Sequence, residues 1–232
     1  MTIAFNIGTS YRAIIVLLLG FFISADATAG EIDMENGEEI NEVCAGCHGE
    51  YGQGGKEGEY PRLAGQPAAF TARQLHLFRK RERPNLAMVE YIDDRQMPDQ
   101  DIADISAFLE TIELPTRLPP ADESAPDFDA YQRLLQAKQI IQIPKAEGDL
   151  KKGKTLYRKE CDSCHGKKGE GDHSKAVPML AGQYTNYLWR QVNKYLKGVR
   201  IHDPDQPDDK LLAEFSRDEL RDIFAYLSIL DD

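Results

Sequence analysis

Apolar residues recur at three- and four-residue spacing along several stretches of this chain, with polar residues between them. Two stretches, PAAFTARQLHLFRKR and YTNYLWRQVNKYLKG, each carry three apolar side chains on one helical stripe: Phe70, Leu75, Phe78 and Leu188, Val192, Tyr195. The strict alternation of apolar and polar residues that is typical of a half-buried strand is absent from the sequence. The pattern therefore predicts an all-α fold.

The predicted helices belong to two similar sets. The strings CAGCHG and CDSCHG begin 117 residues apart, and LAGQ occurs at 63–66 and again, 117 residues later, at 180–183. DISAFL at 104–109 matches DIFAYL at 222–227 with an offset of 118, so one residue is inserted between these strings. Self-similarity at a fixed offset indicates the tandem duplication of a domain of roughly 80 residues.

Each copy has the order helix, cysteine motif, helix, loop, helix. The first helix ends on the motif, the second follows LAGQ, and the third begins near PDQD or SRDE, where a capping residue precedes first-turn acids. The Pro-rich stretch ELPTRLPPADESAPDF and the short helical segment DAYQRLLQAKQI predict a linker at 114–147. This division assigns 30–113 to domain 1 and 148–232 to domain 2.

Residues 1–29 have the layout of a secretory signal peptide. Arg12 precedes the apolar run AIIVLLLGFFI, and the small residues SADATAG follow, with cleavage after Ala27 or Ala29 satisfying the A-x-A rule. The run has 11 residues, short of the roughly 20 that a membrane-spanning helix needs. An uncleaved N-terminal anchor is the alternative. We therefore expect a periplasmic protein whose mature chain has no integral membrane span.

The chain has a formal net charge of −11 and a sequence pI near 5.0. This balance disfavours nucleic acid as a partner, because phosphate-binding surfaces need clustered Lys and Arg. It favours steering toward basic partners, although it also serves solubility alone. A domain of roughly 80 residues buries a small fraction of its surface, so something besides side chains must complete its core.

All four cysteines belong to two Cys-x-x-Cys-His motifs: Cys44, Cys47, His48 and Cys161, Cys164, His165. A disulfide suits an exported protein but gives the histidine no role, and a thioredoxin-like dithiol needs a βαβ unit that the pattern lacks. Zinc needs four ligands, and each motif offers three. Covalent haem attachment uses all three, because the thiols bond to the porphyrin and the histidine binds the iron. The sequence therefore predicts two covalent haem c groups, whose apolar rings also complete the cores.

The combination of CAGCHG, PRLAGQ and DISAFL with CDSCHG, PMLAGQ and DIFAYL resembles the tandem dihaem class I cytochromes c of the c4 type. The resemblance covers nearly all of residues 35–230. It implies two tandem class I cytochrome c domains, each wrapping one covalently attached haem. It also implies a periplasmic electron carrier, or an electron-transfer subunit, that exchanges electrons with donor and acceptor proteins.

The resemblance further implies a methionine from the loop before the last helix as the sixth iron ligand. The first copy offers Met88 and Met97. Met97 directly precedes the last helix, whereas Met88 lies nine residues earlier in a loop long enough to cross the haem face. We therefore favour Met88, with Met97 as the alternative. Both are core residues if neither binds iron, since methionine often fills gaps in cores.

The second copy departs from this pattern, because no methionine follows Met179. Asp205 or Gln206 stands at the position that matches Met88. His202 lies in the corresponding loop, and a neutral imidazole is a good iron ligand. We expect a bis-histidine haem 2 with a lower potential than haem 1; the alternative is a solvated loop histidine and an open iron. The lesser candidates for this ligand are Lys210 and His173.

Two classes of function remain open from the sequence. In the first, the protein carries electrons between redox partners and contains no catalytic residue. In the second, an open or unusual haem 2 acts on a sulfur compound or a peroxide, either as a haem-based oxidoreductase or within an enzyme complex. Asp203, Asp205 and Asp208 lie near His202, but a run of acids in a loop is usually solvated.

Overall fold

The computed structural model describes residues 30–93, 95–141, 143–208 and 210–230, so the proposed signal peptide lies outside the described part. Its α-helices are α1 Met34–His48, α2 Ala68–Arg79, α3 Leu86–Val89, α4 Asp99–Thr111, α5 Ala130–Gln139, α6 Leu150–Glu160, α7 Asp162–His165, α8 Thr185–Leu196 and α9 Arg217–Leu227. Two single 3-10 turns, Lys56–Gly58 and Leu211–Ala213, complete the helical elements of these ranges. The all-α prediction is confirmed, and none of the described helices combines the length and apolar character that crossing a membrane requires.

The first and last helices of each domain cross at a glycine. A β-carbon on Gly37 of α1 would lie 2.6 Å from the carbonyl oxygen of Asp104 and 2.8 Å from Cβ of Phe108, both on α4. A β-carbon on Gly153 of α6 would lie even closer to the carbonyl oxygen of Asp222 on α9. Because only glycine lacks a side chain, these two positions set the distance between the helices that form the frame of each domain.

We expect Gly153→Ala to destabilise domain 2 by on the order of 3 kcal/mol, because the added methyl group would overlap the backbone of α9 and push the helices apart. Chemical denaturation of the holoprotein, followed by circular dichroism, measures this change. Lys154→Ala, at the neighbouring exposed position, is the matched control. If the two variants unfold at the same denaturant concentration, the close contact between Gly153 and the backbone of α9 is contradicted.

A buried aspartate on the last helix of each domain binds the start of the first helix. Asp104 accepts a hydrogen bond from the backbone N–H of Asp33 (3.0 Å), the residue whose side chain caps α1. Asp222 accepts the N–H of Asp149 (3.0 Å), which caps α6 in the same way. The Asp149 N–H is the main cause of the lowered pKa of Asp222. Burial raises the pKa of Asp104, but hydrogen bonds led by that of Asn36 outweigh it and lower the pKa.

Replacing Asp222 by Asn is expected to cost about 2 kcal/mol of stability at neutral pH, since a hydrogen bond to a charged acceptor becomes one to a neutral acceptor. The pKa of Asp222 is lower in the folded than in the unfolded chain. The charged carboxylate therefore stabilises the folded protein fully at pH values above the unfolded pKa of about 4. This stabilisation is lost as the pH falls through the lower pKa of the folded chain. Urea unfolding at neutral and acidic pH checks this.

In that experiment the difference between the wild type and Asp222→Asn should shrink as the pH falls. Asp218→Asn, at an exposed position of the same helix, should show little difference at either pH. A constant difference across the pH range would contradict the role given to the Asp222 charge.

The two copies differ in their first helices. Helix α1 continues through the motif to His48, whereas α6 ends at Glu160 and the short helix α7 begins at Asp162. Seven positions separate Gly37 from Cys44, but eight separate Gly153 from Cys161. The additional residue explains why the helix breaks at Cys161, which keeps the motif in place while the glycine stays against α9.

The capping prediction for the last helices is confirmed in the second copy only. Helix α9 begins with a capping box in which Ser216 and Glu219 bind each other's backbone N–H groups. Helix α4 follows Pro98, which has no side chain able to cap, so the prediction for the first copy is wrong. The fixed φ of proline still favours a helix start at this position.

The two domains contact each other through equivalent residues. The side chain of Gln66 binds both backbone groups of Met179, with Nε2 2.9 Å from its carbonyl oxygen and Oε1 3.1 Å from its N–H. The side chain of Gln183 binds the backbone of Arg62 in the same manner, at 3.0 and 3.1 Å. Each pair lies 117 residues from its counterpart, so the domains meet about an approximate two-fold axis, as the subunits of an isologous dimer do.

Candidate haem sites

The cysteine motif of domain 1 ends helix α1, whereas that of domain 2 begins just after α6 and continues through the short helix α7. Cys44 and Cys161 are half-buried, Cys47 and Cys164 are exposed, and none of the four forms a disulfide in the described chain. Burial raises the pKa of Cys44 to about 11 and that of Cys161 to about 12. No group of three or more His, Cys, Asp and Glu side chains in the described ranges is arranged to hold a metal ion. The motifs therefore present thiols at the boundary between core and surface.

Both motif histidines are oriented by a proline carbonyl. Nδ1 of His48 lies 3.0 Å from the carbonyl oxygen of Pro61, and Nδ1 of His165 lies 3.0 Å from that of Pro178. Because a carbonyl oxygen only accepts, Nδ1 carries the proton and Nε2 keeps its lone pair, which is the arrangement of a metal-ligating imidazole. Burial lowers the pKa of His48, and it lowers that of His165 to about 4. Both rings are therefore neutral at physiological pH.

A second histidine lies close to the motif histidine of domain 2. The ring centre of His202 is 6.2 Å from that of His165, with 35° between the ring planes. Two imidazoles on opposite sides of one metal ion, each at about 2 Å, have ring centres roughly 6 Å apart. The ring of Tyr195 packs edge-on against His202, with ring centres 5.2 Å apart. The structure thus brings together the two residues that the sequence assigned to haem 2.

The two methionines of domain 1 occupy different environments. Met97 is buried within an apolar cluster that also contains Phe78, Ile92 and Ile102. Met88 is half-buried and packs against the edge of the same cluster from the single-turn helix α3, in the segment that the sequence predicted as a loop. Met97 is thus part of the buried apolar core, whereas the side chain of Met88 is only partly enclosed by protein.

Two buried arginines join the domains. Arg83 donates to the side-chain oxygens of Gln74 (2.9 Å) and Gln191 (3.3 Å), and Arg200 donates to those of Gln191 (2.7 Å) and Gln74 (3.0 Å). Both arginines and both glutamines lie 117 residues apart, so this network has the same approximate two-fold symmetry as the Gln66 and Gln183 contacts. Arg83 also donates to the hydroxyl of Tyr187 at 2.9 Å.

The arginine network fits an anion. The acceptors named above are uncharged, and Nε of Arg83 is buried without a hydrogen-bond partner among the described residues. Burial lowers the pKa of Arg83, and the Arg200 charge lowers it further. Buried charges are costly unless they are paired, and haem c brings two propionate carboxylates. These groups suit a covalently attached haem, because thiols can form thioethers, imidazoles can bind the iron and guanidinium groups can pair with the propionates.

The comparisons with known proteins agree with this chemistry. The cytochrome c family model matches the chain twice, at residues 34–113 and 150–231. The thiosulfate dehydrogenase electron acceptor of Stutzerimonas stutzeri (strain A1501) is 30% identical over 186 residues, which are 80% of this chain and 78% of that protein. Cytochrome c4 of Azotobacter vinelandii is 27% identical over an alignment of 234 positions, gaps included, which covers 93% of this chain and 97% of that protein.

Two solved structures show the same architecture. Reduced recombinant cytochrome c4 from Pseudomonas stutzeri superposes with a TM-score of 0.66 at 22% identity, covering 85% of this chain and 98% of that chain. A thiosulfate dehydrogenase from Marichromatium purpuratum superposes with a TM-score of 0.62 at 26% identity, covering 85% of this chain and 40% of that one.

Fold and sites together define a c-type cytochrome with two haems. The chain belongs to the cytochrome c family, and it is a tandem, cytochrome c4-like electron carrier with two covalently bound haem c groups. The resemblance, the fold class and the cofactors that the sequence predicted are confirmed by these matches.

The sequence assigned no role to Gln74 and Gln191, the glutamines of the network that joins the domains. Gln74 and Gln191 lie on the second helices, α2 and α8. A polar side chain between apolar ones in such a helix is normally predicted to be exposed to solvent. The recurrence of both residues at the 117-residue offset was the available signal. The prolines that orient the motif histidines recur at the same offset, but only the structure shows that their carbonyl oxygens point at the imidazoles.

Proposed function

We propose that this protein is a periplasmic electron relay with two differently ligated haems. Cys44 and Cys47 hold haem 1, whose iron His48 and Met88 bind, and Cys161 and Cys164 hold haem 2, whose iron His165 and His202 bind. When bound, each haem c supplies a reversible one-electron Fe(III)/Fe(II) couple. The polypeptide fixes the axial ligands, the burial and the relative placement of the two groups.

The observation that carries the proposal is the 6.2 Å between the ring centres of His165 and His202. This separation suits two imidazoles that share one iron. For domain 1, the burial of Met97 in the apolar cluster supports Met88 as the sulfur ligand. A thioether raises the reduction potential of a haem relative to a second imidazole, so haem 2 has the lower potential.

In this proposal, the arginine network that joins the domains helps to bind the haems. Arg83 and Arg200 hold haem propionates through charge-assisted hydrogen bonds, and Gln74 and Gln191 keep both guanidinium groups in place. Burial favours a raised pKa for Tyr187, but the charges of Arg83 and Arg200 outweigh it and lower the pKa. The hydroxyl of Tyr187 is thus a further acceptor that offsets the two buried positive charges.

The electron donor in this proposal is a sulfur-oxidising dehydrogenase. Two relatives are named thiosulfate dehydrogenase electron acceptor, at 30% and 27% identity. In the thiosulfate dehydrogenase from Marichromatium purpuratum, the superposed part is 40% of that chain. Export through the predicted signal peptide at 1–29 would place this protein in the periplasm, so the proposal requires a donor that also acts there.

A redox titration of the purified holoprotein tests the relay. We expect two one-electron steps of equal amplitude, the lower one belonging to haem 2, and no rapid binding of carbon monoxide to the reduced protein, since His202 and Met88 fill both sixth positions. Reduction by a purified thiosulfate dehydrogenase with thiosulfate tests the donor. Rapid carbon monoxide binding by one haem of the two would contradict the relay and favour the alternative, catalysis at haem 2.

A further inference from the structure

The two helices that lead into the haem motifs have opposite charge. Helix α1 carries four exposed glutamates and no Lys or Arg: Glu35, Glu38, Glu39 and Glu42. Helix α6 occupies the same place in domain 2 and carries five exposed basic residues: Lys151, Lys152, Lys154, Arg158 and Lys159. The first residues beyond the two motifs continue the contrast, with Glu50 in domain 1 and Lys167 and Lys168 in domain 2, all exposed.

The contrast extends to whole domains. Residues 30–113 include 18 acidic and 8 basic residues, whereas residues 148–232 include 15 of each. The net charge of −11 therefore arises almost entirely from domain 1. A charge separation of this kind produces an electric field along the protein that orients a charged partner before contact.

The basic residues of α6 lie beside the attachment site of haem 2. Gly153 and Tyr157 are the buried residues of α6, so the helix presents its basic residues on the side away from α9. Arg158 is three residues before Cys161, which places it within roughly 5 Å of that cysteine along the helix axis. Lys152 already pairs with Asp222 at 3.5 Å, and Lys159 pairs with Glu160 at 2.5 Å. The remaining residues Lys151, Lys154 and Arg158 are defined here as the basic face.

We propose that the basic face docks an acidic redox protein and that electrons exchange with this partner through haem 2. The inference rests on the proposed relay function and names one of its partners by charge. The acidic surface of α1 repels the same partner from haem 1, so charge selects the haem at which this partner reacts. Complementary charge acts mainly on the association rate, and the effect weakens as salt increases.

The test is the reduction of the oxidised holoprotein by an acidic plant-type ferredoxin, followed by stopped-flow absorbance. In this reaction one electron passes from the reduced iron–sulfur cluster to haem Fe(III), giving oxidised ferredoxin and Fe(II). We expect Lys154→Glu with Arg158→Glu to slow the second-order rate at low salt by about tenfold or more. The wild-type rate should fall as salt increases, and the variant rate should not.

The matched control is Arg117→Glu with Lys138→Glu, two exposed linker positions with the same change in net charge. It should slow the reaction less than twofold. Equal slowing in both variants, or no slowing in either, would overturn the proposal. A titration of each variant with dithionite, a small reductant, shows whether both haems remain reducible, so that a failed relay is distinguished from a failed docking face.

Discussion

Replacing Cys44 and Cys47 by alanine is expected to leave one covalent haem per chain and a domain 1 without stable tertiary structure. The buried apolar cluster against which Met88 packs has only four members in this domain: Phe78, Ile92, Met97 and Ile102. A covalently held apolar ring is therefore a large part of what the domain encloses. Without it, the free energy of folding falls toward zero, because small domains are only marginally stable.

The matching change in domain 2, Cys161→Ala with Cys164→Ala, also removes one haem but should unfold its domain less completely. The buried cluster of domain 2 has eight members and includes Tyr157 and Phe224.

Mass spectrometry of the denatured protein counts the haems, and hydrogen exchange reports the folding of each domain. Ala45→Ser, between the two cysteines of domain 1, is the control and should keep both haems. Two intact, protected domains in the Cys44 and Cys47 variant would contradict this account.

Replacing His202 by methionine is expected to raise the midpoint potential of haem 2 by on the order of 0.1 V, within the ~0.8 V range that axial ligands span. The thioether stabilises Fe(II) relative to Fe(III) more than an imidazole does. His202→Ala should instead produce a high-spin haem 2 that binds carbon monoxide rapidly when reduced. Redox titration and optical spectra of the two variants measure these effects.

His173→Ala is the control for the His202 variants. His173 is an exposed histidine of the same domain that pairs with Glu110 across the domain contact. Its replacement should leave both haem spectra and both potentials unchanged. If the spectrum of haem 2 is the same in His202→Ala as in the wild type, another group provides the sixth ligand.

The sequence predicted the elements whose signals are local. The Cys-x-x-Cys-His motifs, the helical stripes and the 117-residue repeat each depend on residues that are close in the chain or recur at fixed spacing. The choice of His202 for haem 2 depended on its place in the loop that matches Met88. The structure adds the position of its ring relative to His165, which no spacing in the sequence contains.

The remaining features depend on how distant segments meet. The paired contacts of Gln66 and Gln183 exist because the two domains meet about an approximate two-fold axis, and a repeat in the sequence does not specify the orientation of its copies. The environment of Arg83 depends on the same contact, because its acceptors include side chains of the other domain. The cap predicted for α4 is absent for a local reason, because Pro98 stands at that position and its side chain has no hydrogen-bond acceptor.

Near-infrared magnetic circular dichroism of the oxidised holoprotein tests the central claim, two haems with different axial ligands, most directly. Its ligand-to-iron charge-transfer bands differ in energy between histidine–methionine and bis-histidine haems. The account predicts two low-spin bands of equal intensity, one of each kind. Two histidine–methionine bands, or a single low-spin band beside a high-spin signal, would contradict it.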